Sequence, residues 1–196
     1  MEHAPSLRAG IIGAGGIAQE GHIPALLEAG VELVAVCDAN VERARDVARR
    51  FEIPHAFETV EPLLALDDVD LVTIGLPNAL HAPVSIKALE AGKHVLCEKP
   101  MALRTSDAQA MIDAARASDR LLSVNQHMRF SDSALAMRDA VATGALGDVY
   151  LADARMTRQN GIPGYGSWFT NRALAGHGAL VDIGVHMLDL ALFVLG

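Results

Sequence analysis

The residues Gly13-Ala14-Gly15-Gly16-Ile17-Ala18 fit the pattern G-x-G-x-x-A, and Asp38 stands 20 residues beyond its last position. Glycines so spaced let backbone N–H groups approach a pyrophosphate, and a helix beginning there would offer it partial positive charge. Asp38 would accept hydrogen bonds from an adenosine ribose, and its charge would repel a 2′-phosphate. NAD is therefore expected over NADP, with Arg43 near enough in sequence to argue the other way. A tight turn with Asp38 as a helix cap is the plain structural alternative. Farther along, Asp182 and His186 are four apart, hence on one face of any helix that contains them. A histidine titrates near neutral pH and can take a hydroxyl proton, while the carboxylate can orient its ring or bind hydroxyls itself. Such a pair also occurs as an ordinary helical contact. With Asp189 it could suggest a metal site, but no further ligand stands at zinc-like spacing, so no metal is expected. Lys99, just before Pro100, could hold charge on a reacting oxygen or could be a solvated loop lysine.

The elements that would carry these residues alternate. Apolar runs at 7–13, 32–38, 55–57, 71–74, 94–98 and 121–126 read as strands, with helices at 16–30, 41–51, 61–66, 83–91 and 106–119 between them. Ser106 and Gln109 have the spacing of a capping box. This rhythm predicts an α/β fold, a doubly wound parallel sheet covered on both faces. Ligands bind at the carboxyl ends of such strands, where Gly13, Asp38 and Lys99 would all stand. After about residue 127 the rhythm changes to a helix at 131–143, a longer alternating strand at 148–157, a glycine-rich loop at 158–178 and an apolar final helix. Two domains follow, 1–127 and 128–196. In the loop, Arg158, Asn160, Tyr165 and Trp168 combine aromatic faces with planar polar groups, the chemistry of a sugar site; packing of a long loop explains them equally.

Composition narrows the function classes. Hydrophobic residues are 51% and charged residues 20%, which is globular composition and excludes a disordered chain. Aromatics are only 4%, so the core must be aliphatic, as in buried parallel sheets. The formal charge of -8 argues against a nucleic-acid partner. Cys37 and Cys97 sit inside apolar runs and read as reduced core thiols of a cytoplasmic protein. The start of the chain lacks the pattern of a signal peptide, and apolar stretches elsewhere look too broken by charge to span a membrane.

Two blocks carry a specific resemblance. Leu76-Pro77-Asn78, His81 and Ala91-Gly92-Lys93-His94-Val95-Leu96-Cys97-Glu98-Lys99-Pro100 form one. The other is Gly178-Ala179-Leu180-Val181-Asp182-Ile183-Gly184-Val185-His186-Met187-Leu188-Asp189. Together they resemble the glucose–fructose oxidoreductase and inositol dehydrogenase family (Gfo/Idh/MocA), from about residue 7 to the last residue. The resemblance implies an N-terminal Rossmann domain and an α+β substrate domain, present here only in part. It implies hydride transfer between a nicotinamide cofactor, NAD or less readily NADP, and a secondary alcohol of a sugar, sugar derivative or polyol. It makes Lys99, Asp182 and His186 catalytic. It puts Gly13, Gly15, Gly16, Ile17, Ala18, Asp38, Pro77, Asn78, His81, Glu98 and Lys99 at the cofactor and Arg129 near the domain junction, where it joins the loop residues Arg158, Asn160, Tyr165 and Trp168 as a substrate-binding candidate. Homo-oligomers through the C-terminal domain are expected. The alternatives are a non-catalytic nicotinamide-binding sensor or regulator, and an inactive truncated member. One departure is His177 between Gly176 and Gly178, where the family commonly has three glycines.

Overall fold

The structure, a computed structural model, describes residues 7–157, 159 and 166–196. They form two compact units, Met1–Val124 and Asn125–Gly196. In the first, β1 (Arg8–Ile12), β2 (Glu32–Cys37), β3 (His55–Phe57), β4 (Leu71–Ile74) and β5 (His94–Glu98) join β6 (Leu122–Asn125) in one sheet. Its order is β3-β2-β1-β4-β5-β6, and β1 runs parallel to both β2 and β4. The chain leaves β1 in one direction and returns through β4 in the other, so a crevice opens at their carboxyl ends. This is the doubly wound α/β arrangement expected from the alternation.

The central strands β1, β2, β4 and β5 form because both their faces are buried. Ile12, Val34, Val72 and Val95 pack with Leu63, Leu89 and Met111 in one layer, while Ile11, Leu33 and Val36 pack with Ile23 and Val47 in the other. Such strands are near-continuous apolar runs without alternation, and the burial pattern of β2 shows one. The covering helices include α1 (Ile23–Glu28), α2 (Val41–Arg50), α3 (Val60–Leu64), α4 (His81–Glu90) and α5 (Thr105–Ser118).

The first helix is not the uniform α-helix expected over 16–30. It opens with a wide π turn, Ala18–His22, and only then becomes α1. Pro24 gives the reason: it has no N–H to return to the preceding turn, and the Ile23 N–H reaches back to Ala18 instead. The expected capping box of α5 is also absent. Arg104 precedes the helix without a side-chain cap, Ser106 donates to Asp107 and Gln109 to Asp113.

In the second unit, Ser131 caps α6 (Asp132–Ala142), and α8 (Val185–Leu195) packs against α6. Between them lie α7 (Arg172–Ala175) and a π turn, Leu180–Gly184. The strand expected at 148–157 is not formed. Alternating sequence makes a strand only where another strand offers its backbone groups, and no described strand does so; Tyr150 is 95% exposed. The end of the chain is less broken by charge than expected from sequence: Arg172–Leu195 is long enough, and an 18-residue window within it apolar enough at mean hydropathy 1.9, to pass for a membrane span by length and composition alone. Leu188 and Leu192 on α8 are more than half exposed.

The tightest point of the sheet is at the end of β1. Gly13 has φ +95°, and a Cβ there would lie 2.4 Å from the Gly75 carbonyl oxygen. Gly13→Ala should therefore cost about 2–4 kcal/mol in urea denaturation. Gly16→Ala, whose Cβ would meet nothing within 4 Å, should change stability little. Equal losses in the two variants would contradict this account of the turn.

Candidate cofactor and active site

The loop after β1 is built to receive an anion. Gly13 turns the chain, Ala18 is buried beneath it, and Gly15, Gly16 and Ile17 face outward at the start of the first helix. A Cβ on Gly15 or Gly16 would project into open space, which is where a pyrophosphate would approach the backbone. The residues present thus fit the phosphate group of a dinucleotide.

Asp38 closes β2 and is 5% exposed. It is not a helix cap, since Asn40 accepts from the Arg43 N–H at the start of α2. Instead Asp38 fastens the glycine loop. Its Oδ2 accepts from the Ala14 N–H at 2.9 Å, and its Oδ1 from the Asn40 N–H at 2.8 Å. The Arg43 guanidinium adds a two-pronged contact, Nε to Oδ2 at 3.0 Å and a terminal nitrogen to Oδ1 at 2.6 Å. Burial pushes the Asp38 carboxyl up, but the Arg43 guanidinium and the two backbone N–H groups outweigh it and hold the group below the usual carboxylate range. Arg43, expected from its nearness in sequence to moderate the charge of Asp38, does so at contact distance. Beside the pair lies a cleft of about 370 Å³ whose lining includes Gln19, Asn40, Arg43 and Arg50.

Across the crevice, β4 ends in Gly75-Leu76-Pro77, and Asn78 opens a short 3-10 turn before α4. Pro77 is half-buried and Asn78 is 5% exposed. His81, 1% exposed, sits inside the protein rather than at a ligand surface. Its Nδ1 lies 2.7 Å from the Pro100 carbonyl oxygen and its Nε2 2.8 Å from that of Leu76. Burial lowers its pKa, and the two carbonyls only partly offset this. Glu98, at the end of β5, is 7% exposed and pairs with His22 at 2.8 Å. Lys99 follows it and is half-buried. Burial pushes the thiols of Cys37 and Cys97 up to about 12, which suits the inert core role read from sequence.

In the second unit, Asp182 lies in the π turn and is half-buried, and His186 in the first turn of α8 is 4% exposed. The His186 ring meets His127 edge to face at 5.2 Å. Arg129 is engaged within the protein. Its Nε donates to Asp189 Oδ2 at 2.7 Å, a second prong reaches Oδ1, and the guanidinium lies 5.5 Å from the Phe193 ring centre. Trp168 stacks on Phe169, with ring centres 3.7 Å apart. Arg158, Asn160 and Tyr165 lie outside the described residues. Among the described residues no group of three or more His, Cys, Asp or Glu side chains could hold a metal ion.

Known proteins match this arrangement. Residues 7–126 fit the model of an oxidoreductase family with an NAD-binding Rossmann fold, and residues 134–196 fit the GFO/IDH/MocA C-terminal domain. The chain belongs to the Gfo/Idh/MocA family. Among its relatives is the D-glucoside 3-dehydrogenase of Escherichia coli (strain K12), 40% identical over 97% of this chain and 54% of that protein. The aldose-aldose oxidoreductase of Caulobacter crescentus, solved with glycerol, superimposes with a TM-score of 0.84 at 32% identity, over 97% of this chain and 58% of that one. A levoglucosan dehydrogenase solved with NADH does so with a TM-score of 0.79 at 29% identity, over 97% and 54%. The chain spans about half the length of the curated relatives it matches. As a Gfo/Idh/MocA protein it carries an NAD-binding Rossmann domain followed by residues that match the family's C-terminal domain.

Sequence reasoning did not single out His22, and Asp189 was weighed only as a metal ligand. A buried histidine within the first helix and an acid seven residues after Asp182 were the available signals. Neither names its partner.

The Asp38 carboxyl titrates lower in the folded chain than in the unfolded one. Its stabilisation is therefore complete above the unfolded value and is lost as pH falls through the folded value. The stability gap between the native protein and Asp38→Asn should be flat from about pH 7 to pH 5 and shrink toward pH 3. Urea denaturation across that range measures it, and a gap that widened on acidification would refute the assignment.

Proposed function

We propose that this chain supplies the cofactor domain and the catalytic groups of an enzyme that moves a hydride between a nicotinamide and a secondary alcohol of a sugar, sugar derivative or polyol. The reading rests chiefly on Lys99: it follows β5 directly at the carboxyl end of the sheet, on a frame whose glycine loop fits a dinucleotide. The names of the relatives point the same way.

The nicotinamide, when bound, supplies hydride chemistry that no side chain can. The Lys99 ammonium would donate a hydrogen bond to the reacting oxygen and stabilise charge that develops on it. His186 would take the hydroxyl proton as the carbon gives up its hydride. The alcohol then becomes a carbonyl, and the proton stays on the imidazole until it is released. Asp182 would orient substrate hydroxyls or the imidazole. His186→Ala should lower turnover by roughly 10² to 10⁴ with little change in cofactor affinity. A panel of inositols, aldoses and glycosides with NAD and NADP supplies the assay, and near-native turnover in the variant would transfer the acid/base role to Lys99.

NAD is the cofactor this reading favours, with a preference moderated by Arg43. A ribose hydroxyl can replace one prong of a guanidinium that is 48% exposed, whereas a 2′-phosphate would need Arg43 to turn from the carboxylate toward it. Arg43→Ala should weaken NADP by about tenfold or more and NAD much less, and Asp38→Ala should narrow the native preference. Calorimetric titration of the two cofactors reads both; tighter NADP binding by the native protein would overturn the preference.

A further inference from the structure

Two buried histidines remain without a part in the chemistry, and both make their polar contacts beside the same residue. His22 ends the π turn of the first helix and is 6% exposed. Its Nε2 lies 2.8 Å from Glu98 Oε1, and the other carboxylate oxygen of Glu98 accepts from the Lys99 N–H at 3.2 Å. A carboxylate only accepts, so Nε2 carries the hydrogen. His81 lies on the other flank, Nδ1 at 2.7 Å from the Pro100 carbonyl and Nε2 at 2.8 Å from that of Leu76 in the loop after β4; with the hydrogen on Nδ1 it donates to Pro100. The residue before Lys99 is thus tied to the phosphate-binding helix, and the residue after it to the β4 loop.

We propose that His22 and His81 are positioning residues for Lys99, fixing its backbone from both sides so that its ammonium stands at one place in the crevice. The proposal rests on the reading above that Lys99 works at the reacting oxygen. Nε2 of His22 and both ring nitrogens of His81 are engaged with Glu98, Pro100 and Leu76, so both rings act through the backbone that carries Lys99. A lysine side chain has four rotatable bonds, and an anchored backbone is what the fold can supply to limit where its ammonium goes. A displacement of about 1 Å at such a group can cost on the order of a hundredfold in rate. The Nδ1 of His22 has no hydrogen-bond partner among the described residues. Apolar packing would have filled the position without an orphaned polar atom, so the contact to Glu98 is what the histidine adds.

The test reads Lys99 itself. The chain holds three lysines: Lys87, exposed and paired with Glu61; Lys93, buried against the Leu66 carbonyl; and Lys99. Trace acetylation of the folded full chain with acetic anhydride, resolved by peptide mass spectrometry, gives the reactivity of each with and without NADH. His22→Leu and His81→Gln, the latter able to reach only Leu76, should change Lys99 reactivity by about threefold or more and reduce its protection by NADH. Lys87 and Lys93 should label as before, and ADP-ribose, which lacks the nicotinamide, should bind as before. His22→Gln, which keeps a donor at the Nε2 position, and His81→Asn, which keeps one at Nδ1, should restore the native pattern. Native Lys99 labelling and NADH protection in folded His22→Leu and His81→Gln would overturn the proposal, as would failure of the conservative pair to restore it. If instead Lys99→Ala leaves sugar turnover intact, the catalytic reading falls while the labelling still decides the geometry.

Discussion

No carbon atom fits between Gly13 and Gly75, and the site depends on that contact. Strands β1 and β4 end side by side, and their following loops must part there to open a crevice. A side chain at Gly13 would press on the β4 loop, and one at Gly75 would lie 3.0 Å from Ile17 and 3.7 Å from the His22 ring. Two bare backbones therefore let the first helix sit directly over the end of β4. From that position its N-terminus faces the crevice, and its buried turn reaches Glu98 on the far side of β4. The exposed glycine loop and the His22–Glu98 contact beside Lys99 are two results of one close approach.

The frame was legible because its strands are buried on both sides. β4 and β5 were bounded correctly from short apolar runs flanked by polar or glycine residues, a pattern that solvent-facing strands do not give; the short edge strand β3 was bounded correctly too, though it is not buried. The same reasoning failed at 148–157, where alternation was read as a strand although a strand is a property of two segments. Pro24 was visible in the first helix, but its effect, a wider turn ahead of it, depends on where the chain is anchored on either side. Charged pairs were the least legible part. His22 and Glu98 are 76 positions apart, so nothing local links them. Arg43 was noticed for its nearness to Asp38, yet its two-pronged grip depends on the first turn of α2 placing it over the strand end.

The two acids at the strand ends show how one crevice can be adaptable in one half and fixed in the other. Asp38 and Glu98 both lie almost out of solvent, and a carboxylate there needs compensating donors. Each has a cationic or donor partner, but the partners differ in freedom. Arg43 is about half exposed and can exchange its carboxylate for a ligand oxygen while water solvates the guanidinium. His22 is shut in with side-chain exposure of 5%, against 9% for Glu98, and has no such route. Breaking that pair would take a buried donor from Glu98, a penalty above that of loosening a surface contact. The Asp38 end of the crevice, where the adenosine is proposed to lie, can therefore exchange its partner. The half that holds Lys99 is built on a contact without that freedom, which suits the role proposed for Lys99 at a reacting oxygen.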